Sequence, residues 1–367
     1  MERSSGLRVA MTVEQLWQPQ PGGSGTYIRE LAREYAGMPE IAVTGIAAWH
    51  RDTRPEGLAV SRVPLPRAAL YESWQRARRP RAGRGADVVH ATTWAIPGRR
   101  VPLVVTVHDL AFLHDPDHFT PRGVRFFERG LQITRAEAAA VIVPSQATRV
   151  DCIDHGLDGD RVHVVPHGVR PAAVDPSAVD RFRARFGLQR PYVLWAGTRE
   201  PRKNLPTLVE AFSLMLDAGA DLDLVLVGPD GWGPERDRLT HAADERIRLL
   251  GRLDRADLDA AYAGAYVFCF PSLREGYGMP VTEAMAHGTP VVTSRGTATE
   301  EAAGGAAVLV DPHDAADVTR GLLEAGEPSR NAALRPASAA RAAELDWSAS
   351  ARATAAVLRR AAEVPEP

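Results

Sequence analysis

Short runs of Val, Ile and Leu alternate along this chain with longer stretches whose apolar residues recur at helical spacing. A brief apolar run bounded by Gly or Pro marks a strand buried on both faces. Its alternation with amphipathic segments marks a parallel sheet covered by helices. In the first half the runs fall at 7–13, 41–48, 86–91, 102–107, 139–144 and 162–166. In the second half they fall at 192–197, 222–228, 247–251, 265–271, 290–294 and 306–312. The series predicts an α/β fold of two consecutive Rossmann-like, doubly wound domains. In such sheets ligands bind beyond the carboxyl ends of the strands, so chemistry is expected in the loops that follow these runs.

The Pro-rich stretch 170–191 separates the two series and reads as a linker followed by a short helix. From 338 onward the chain is rich in Ala and Arg and reads as helical, with Trp347 and Val357 among its few large apolar anchors. The expected division is therefore a first domain over 1–172, a second over 173–345, and a terminal helix over 346–367 that packs back on the first domain.

Composition narrows the function. At 367 residues and 45% hydrophobic content, each half can bury a full core. A net charge of -2 and a pI of about 6.6 give no global attraction to nucleic acid, and no nucleic-acid-binding motif is present. The two cysteines, Cys152 and Cys269, lie far apart in apolar surroundings and read as buried free thiols in a reducing compartment. The N-terminus lacks the apolar centre of a secretory signal, and no run approaches the ~18 apolar residues that span a bilayer. The cytoplasm is the expected location.

Several loops after the apolar runs carry candidate chemistry. In "AGTREPRKNLP" (196–206), Gly197 ends a strand and Pro201 suits a helix start, which puts Arg202 and Lys203 in the first helical turn. Cations there oppose the helix dipole unless an anion is near, and with Arg199 they suit a diphosphate. In "QPGGSGTYIRELAREY" (20–35), Gly23, Ser24 and Gly25 form a turn whose backbone can approach a phosphate or sugar, although the spacing is not that of a dinucleotide fingerprint.

His108 and Asp109 directly follow the run at 102–107 and can exchange protons or hydrogen bonds with a substrate hydroxyl. The spacing of His108, His114 and His118 fits no metal pattern, so no metal is expected. His90 and His167 also follow strands and are expected to buttress the crevice. Arg76, Arg78, Arg79, Arg81 and Arg84, beside Tyr71 and Trp74, form a run that suits a solvated face or anionic lipid headgroups.

The densest pattern is "SLREGYGMPVTEAM" (272–285), with Glu275 and Glu283 eight positions apart. Carboxylates sharing a helix face lie three or four residues apart, and the intervening glycines and Pro280 place Glu275 outside the helix, so the two do separate jobs. Gly276, Tyr277, Gly278 and Met279 present backbone N–H groups to an anion at a helix start. Glu275 can reach hydroxyls of a group attached to that anion, and Glu283 can accept two hydrogen bonds from a vicinal diol such as a ribose.

Together these segments resemble the retaining nucleotide-sugar glycosyltransferases of the GT-B architecture, in which two Rossmann-like domains face each other across a cleft. The resemblance covers nearly the whole chain. It is most specific in "GTREPRKNLPTLVEAF", "LLGRLDRADLDAAYAGA" and "FPSLREGYGMPVTEAMAHGTPVVTS", which contain the family's E-x(7)-E pair as Glu275 and Glu283. It implies that Glu275 contacts the donor sugar, Glu283 the ribose, and Lys203 with a neighbouring arginine the diphosphate. It further implies that Gly251, Arg252 and Leu253 border the base, that Gly23 and its neighbours approach the donor phosphate, and that His108 faces sugar and acceptor. Many relatives carry arginine where this chain has Thr198, so either Arg199 or Arg202 supplies the second cation.

The implied reaction needs no cofactor, metal or protein nucleophile: the departing diphosphate accepts the acceptor's proton on the face it leaves. The first domain would bind a glycan or lipid-linked acceptor through loops at roughly 49–85 and 110–130, and the second the nucleotide-sugar donor. The motifs are most similar to users of GDP-mannose in polysaccharide biosynthesis, with UDP- and dTDP-sugar users as the alternative. A nucleotide-sugar 2-epimerase and a non-catalytic sugar-nucleotide binder are the readings from other classes. A phosphorylase would need a lysine for pyridoxal phosphate, and the only lysine, Lys203, is already assigned.

Overall fold

The computed structural model describes residues 6–51, 57–170, 173–231 and 245–363. The chain forms two compact units, one of Met1–Gly168 with Trp347–Pro367 and one of Val169–Asp346.

The first unit begins with β1 (Leu7–Thr12), α1 (Gly22–Ala36), β2 (Ile41–Ala47), β3 (Ala59–Arg62) and α2 (Arg67–Arg76). It continues through β4 (Arg81–Ala82), β5 (Val88–Ala91), β6 (Gly98–Arg99), β7 (Leu103–Thr106), α3 (Ala111–His114) and α4 (Pro121–Glu137). Then come β8 (Ala138–Val143), α5 (Gln146–Asp154) and β9 (Val162–Val164). Its main sheet is wholly parallel, in the order β3-β2-β1-β5-β7-β8-β9, and β4 pairs separately with β6. The central strands β5 and β7 are buried at every position, which is why valine dominates them, with His90 inside β5 and Thr106 at the end of β7 as the buried polar exceptions. The edge strand β3 is largely exposed and wrote no such run, so it is absent from the sequence-based expectation.

The second unit comprises α6 (Pro176–Phe186), β10 (Tyr192–Ala196), α7 (Leu205–Asp217), β11 (Asp223–Val227), β12 (Ile247–Gly251) and α8 (Arg255–Gly264). It proceeds through β13 (Val267–Phe270), α9 (Met279–Ala286), β14 (Val291–Ser294), α10 (Ala298–Ala303), β15 (Val308–Val310), α11 (Ala315–Gly326) and α12 (Pro328–Ala343). The sheet order β12-β11-β10-β13-β14-β15 is that of a doubly wound Rossmann sheet. Successive connections leave β10 in one direction and β13 in the other, so the switch point lies between these neighbours, with Leu194 paired to Phe268. Tyr192, Leu194, Trp195, Phe212, Phe268 and Phe270 fill the core around them.

Within the 170–191 stretch, the helix that was expected is α6. Asp175 caps it by accepting from Ser177 N, Pro176 sits at its first position, and Gly187 ends it with φ 64°. Pro171 and Ala172 lie outside the described residues, as do 52–56 of the expected acceptor loop. The terminal helix α13 (Trp347–Glu363) buries Trp347, Ala351, Ala355 and Leu358 at helical spacing against α1, β5, β7 and β8. Among the described residues, no helix is long and apolar enough to cross a membrane.

Two local expectations are corrected. Gly23, Ser24 and Gly25 are not a turn: they are the opening turn of α1, which starts at Gly22 (φ 60°) with Gly25 N donating to Pro21 O at 3.1 Å. Arg202 and Lys203 do not open a long helix either. Pro201–Lys203 is a separate tight turn that Asn204 ends with φ 58°, and α7 begins after it. Asparagine tolerates the left-handed region better than other side-chain-bearing residues, and this is what breaks the helix.

Candidate active site

In the second unit, the loops leaving β10 and β13 flank the switch point and carry Lys203 and Glu275 into contact. Asn204, buried just past the tight turn, donates through Nδ2 to Pro271 O at 3.0 Å and to Pro312 O at 2.6 Å, while Thr207 Oγ1 donates to its Oδ1 at 2.8 Å. It thereby ties together the loops that follow β10, β13 and β15. Leu273 N donating to Arg202 O at 2.9 Å adds a backbone link between the first two loops.

These ties hold a compact set of charges. Lys203 Nζ donates to Glu275 Oε1 and sits 4.9 Å from the centroid of the Phe270 ring. Arg202 Nη1 donates to Glu275 Oε2 at 3.0 Å, and Arg202 Nε to Glu200 Oε2 at 2.9 Å. Ser272 Oγ lies 2.8 Å from Glu275 Oε1. The side chains of Lys203 and Glu275 are each only 8% exposed. Burial alone would raise the Glu275 carboxyl, but Arg202, Lys203 and the Ser272 hydroxyl outweigh it and hold Glu275 down at about 2. Burial and the neighbouring Arg202 push Lys203 below its usual value, and Glu275 offsets only part of that. The cations expected to await a diphosphate are therefore engaged with Glu200 and Glu275, and the four charges sum to zero.

Arg199 lies elsewhere, paired with Asp230 in the loop after β11. That loop packs tightly on the one bearing Arg199: a Cβ at Gly228 would fall 1.8 Å from Gly197 O, so only glycine fits. Gly228 N also donates to Gly251 O at 2.8 Å, which brings the strand end preceding Arg252 and Leu253 alongside; Arg252 is exposed and Leu253 half-buried. Beyond Glu275, Gly276 and Tyr277 are buried, and Gly278 precedes α9 with φ 101°, where a Cβ would meet Thr299 Cγ2 at 2.7 Å. Met279 begins the helix.

Glu283 stands apart from Glu275, as the spacing required. Arg255 Nη1 donates to its Oε1 at 2.9 Å and Tyr262 Oη to its Oε2 at 3.1 Å. Arg255 also bonds Asp259, at 2.8 Å from Nη2 to Oδ1, and His287 Nε2 lies 3.3 Å from the same oxygen. Each Glu283 oxygen thus accepts one hydrogen bond within the protein and keeps a second lone pair for a ligand.

In the first unit, His108 follows β7. Its Nε2 donates to Thr92 O at 3.0 Å, which fixes the proton on Nε2 and leaves Nδ1 as an acceptor. Burial pushes His108 down, and His90 down to about 3, with His108 as the second cause there. His90 Nε2 and the Tyr27 hydroxyl both meet Thr106 Oγ1, at 2.8 and 3.0 Å, while His167 stacks on Trp347 at 5.7 Å. Asp109 Oδ1 accepts from Ala111 N at 3.2 Å and so starts α3. Gly23, Ser24 and Gly25 lie on α1, the helix that contributes Tyr27 to this nest.

The arginine run does not form one solvated face. Arg78 turns inward and donates to the carbonyls of Trp74, Ile96 and Pro97 and to both oxygens of Glu137, at 2.7 to 3.0 Å. Asn204, Arg255 and Tyr262 were not singled out from the sequence, because their partners lie from 21 to 108 residues away, and Ser272, three residues before Glu275, gave no signal of its own. Glu14 was also missed: it is buried after β1 and accepts from Ala48 N at 2.7 Å, with His50 Nε2 at 2.9 Å.

Two parallel six- and seven-stranded Rossmann-like units, with charged clusters on the loops at strand carboxyl ends, define a protein of the GT-B class. Among solved structures, Anabaena HepE in complex with UDP and glucose matches with a TM-score of 0.76 at 19% identity, covering 96% of this chain and 100% of that one. The sucrose-phosphate synthase of Thermosynechococcus elongatus matches with a TM-score of 0.77 at 21% identity, over 96% and 98%. Residues 190–326 match the family described as glycosyl transferases group 1, and residues 21–173 the one described as glycosyltransferase family 4. D-inositol 3-phosphate glycosyltransferase 1 of Catenulispora acidiphila is 31% identical over 412 aligned residues, covering 98% of each chain. The O-antigen chain mannosyltransferase B of Escherichia coli is 29% identical over 247 residues, which cover 65% of this chain and 64% of that protein. The chain belongs to the group 1 glycosyltransferases.

Proposed function

We propose that this glycosyltransferase moves a hexose, with retention of anomeric configuration, from a nucleoside diphosphate sugar to a hydroxyl of a glycan or lipid-linked acceptor. The observation that carries the reading is the buried set of Lys203, Arg202 and Glu275 at the switch point of the second unit. A diphosphate offers enough negative charge to draw Lys203 and Arg202 off Glu275, which frees the carboxylate to accept hydrogen bonds from sugar hydroxyls. Glu283, steadied by Arg255 and Tyr262, accepts the ribose diol. Gly276, Tyr277, Gly278 and Met279 border the phosphates, Gly197 and Arg199 the loop beside them, and Arg252 with Leu253 the base.

His108 offers its bare Nδ1 to the substrate, with Asp109 shaping the loop. The leaving diphosphate, stabilised by Lys203 and Arg202, takes the acceptor's proton. The protein contributes charge stabilisation and positioning rather than a nucleophile or a metal.

GDP-mannose is the donor proposed, supported by the similarity to the mannosyltransferase of E. coli. A second reading gives the acceptor as a polyol phosphate, favoured by the match over the whole chain to the D-inositol 3-phosphate glycosyltransferase. Contact of Arg76, Arg79, Arg81 and Arg84 with anionic lipid is part of the proposal, without the inward-turned Arg78; vesicle cosedimentation tests it.

A thermal-shift panel of GDP-, UDP-, dTDP- and ADP-sugars reads the donor, since a ligand of the native state raises Tm. A shift with GDP-mannose that Lys203→Ala abolishes is expected. No shift with any nucleotide sugar would remove the transferase reading, and sugar turnover without acceptor would favour a 2-epimerase.

A further inference from the structure

His114 finds its neighbours in neither His108 nor His118, the histidines closest to it in sequence. Its Nε2 lies 2.6 Å from Asp151 Oδ1, on a helix 37 residues further along. One turn on, His155 Nδ1 lies 3.3 Å from the same oxygen. The two imidazoles meet edge to face with centroids 5.3 Å apart, and the three candidate ligand atoms all fall within 4.8 Å of one another. An ion at ~2.0–2.2 Å from each atom sits among ligands about 3.3–3.6 Å apart in tetrahedral geometry, so small rotations of these side chains bring the three atoms onto one ion.

The surroundings suit a cation with one open coordination position. His155 is the residue at which α5 ends, so the last carbonyls of that helix place partial negative charge beside the group. Arg135, the nearby guanidinium, is directed to the His155 carbonyl and steadies the backbone there rather than occupying the ring nitrogens. The side chains are 28%, 18% and 31% exposed, so water can complete the shell. Two imidazoles and a carboxylate favour zinc-class ions over calcium or magnesium, which take oxygen ligands. His155 Nδ1 is 2.8 Å from Asp151 O, a hydrogen bond that coordination would replace.

We propose that His114, Asp151 and His155 bind one divalent transition-metal ion of the zinc class, apart from the reacting groups. The ion staples α3 to α5. Because α3 closes the segment that begins at His108, occupancy holds that segment against the body of the first unit.

The test uses the full chain stripped with EDTA and titrated with Zn2+ against a chromophoric chelator. Co2+ serves as a second probe, since its visible bands report coordination by nitrogen and oxygen. One equivalent is expected, with a rise in Tm. His114→Ala and Asp151→Asn should each weaken binding by more than the roughly 10–100-fold that follows loss of a mere supporting partner. His114 is exposed, so its replacement leaves the fold intact, which circular dichroism in EDTA verifies. His313→Ala, a histidine outside the cluster, should bind as wild type does. No bound equivalent in the wild type, or unchanged affinity in His114→Ala, would overturn the site and leave the triad as plain ion pairs. Loss of binding in His313→Ala would equally overturn it.

Discussion

Replacing Glu275 by Gln deletes one charge from a buried set of four. Glu200, Arg202, Lys203 and Glu275 have side chains 13%, 18%, 8% and 8% exposed, so solvent screens them weakly. Holding Glu275 at about 2 against an ordinary 4.5 corresponds to about 3 kcal/mol of preference for its charged form in the fold. The lowered value of Lys203 shows that burial of the amine offsets part of that gain. Glu275→Gln leaves the set at +1 and Lys203→Met leaves it at -1. Each is expected to cost about 3–5 kcal/mol, because the surviving partner is a buried charge without its counterion.

The double variant Lys203→Met/Glu275→Gln returns the set to neutrality and should recover about 2 kcal/mol or more of the summed losses. Urea unfolding of all four proteins at neutral pH, read through the transition of the second unit, gives the coupling. The same carboxylate sets an acid dependence: its folded value lies below its unfolded one. The contribution is therefore complete above about pH 4.5 and is lost as pH falls towards 2. Single variants within about 0.5 kcal/mol of wild type, or losses that simply add, would refute the picture of a mutually dependent charge set.

Other expectations concern the supports of this set. Tyr262→Phe removes the hydroxyl that meets Glu283 but keeps the ring, so donor KM should rise by about 3–10-fold with kcat little changed; a KM equal to wild type would detach Tyr262 from the donor site. Asn204→Ala loses the bonds to Pro271 O and Pro312 O in a left-handed residue and should cost about 2–4 kcal/mol in urea unfolding. Asn204→Gly accepts the backbone angle and should cost less, and equal losses would show that the angle contributes nothing. Turnover in EDTA should equal that in buffer, even where the Tm falls; a drop in kcat restored by Mg2+ would contradict a metal-free transfer.

What the sequence showed and what it hid divide along physical lines. A parallel strand covered on both faces is predominantly apolar, so β5, β7, β10 and β13 announced themselves even with His90 in β5 and Thr106 in β7. The edge strand β3, with one residue half-buried and three exposed, had no such constraint and passed unnoticed. The separation of Glu275 from Glu283 was legible because helix geometry forbids their meeting on one face. Their partners were not: Lys203 reaches Glu275 across 72 residues, and nothing local to either encodes the other. Pro201 read as the start of a helix, but the turn it opens ends at Asn204, whose φ of 58° asparagine permits and does not require.

Lys203 is the only lysine among 44 basic residues, and its amine lies behind Glu275 and over the Phe270 ring. An acylating or reductively alkylating reagent added to the folded chain therefore meets one ε-amine, at 8% side-chain exposure. Any mass added beyond the α-amino group reports that the loops after β10 and β13 have parted. The chain carries a built-in chemical clock for the opening of its own charge cluster, read by intact mass without introducing a label. Occupancy by an anion that holds Lys203 would slow that clock, and one bound elsewhere would leave its rate unchanged.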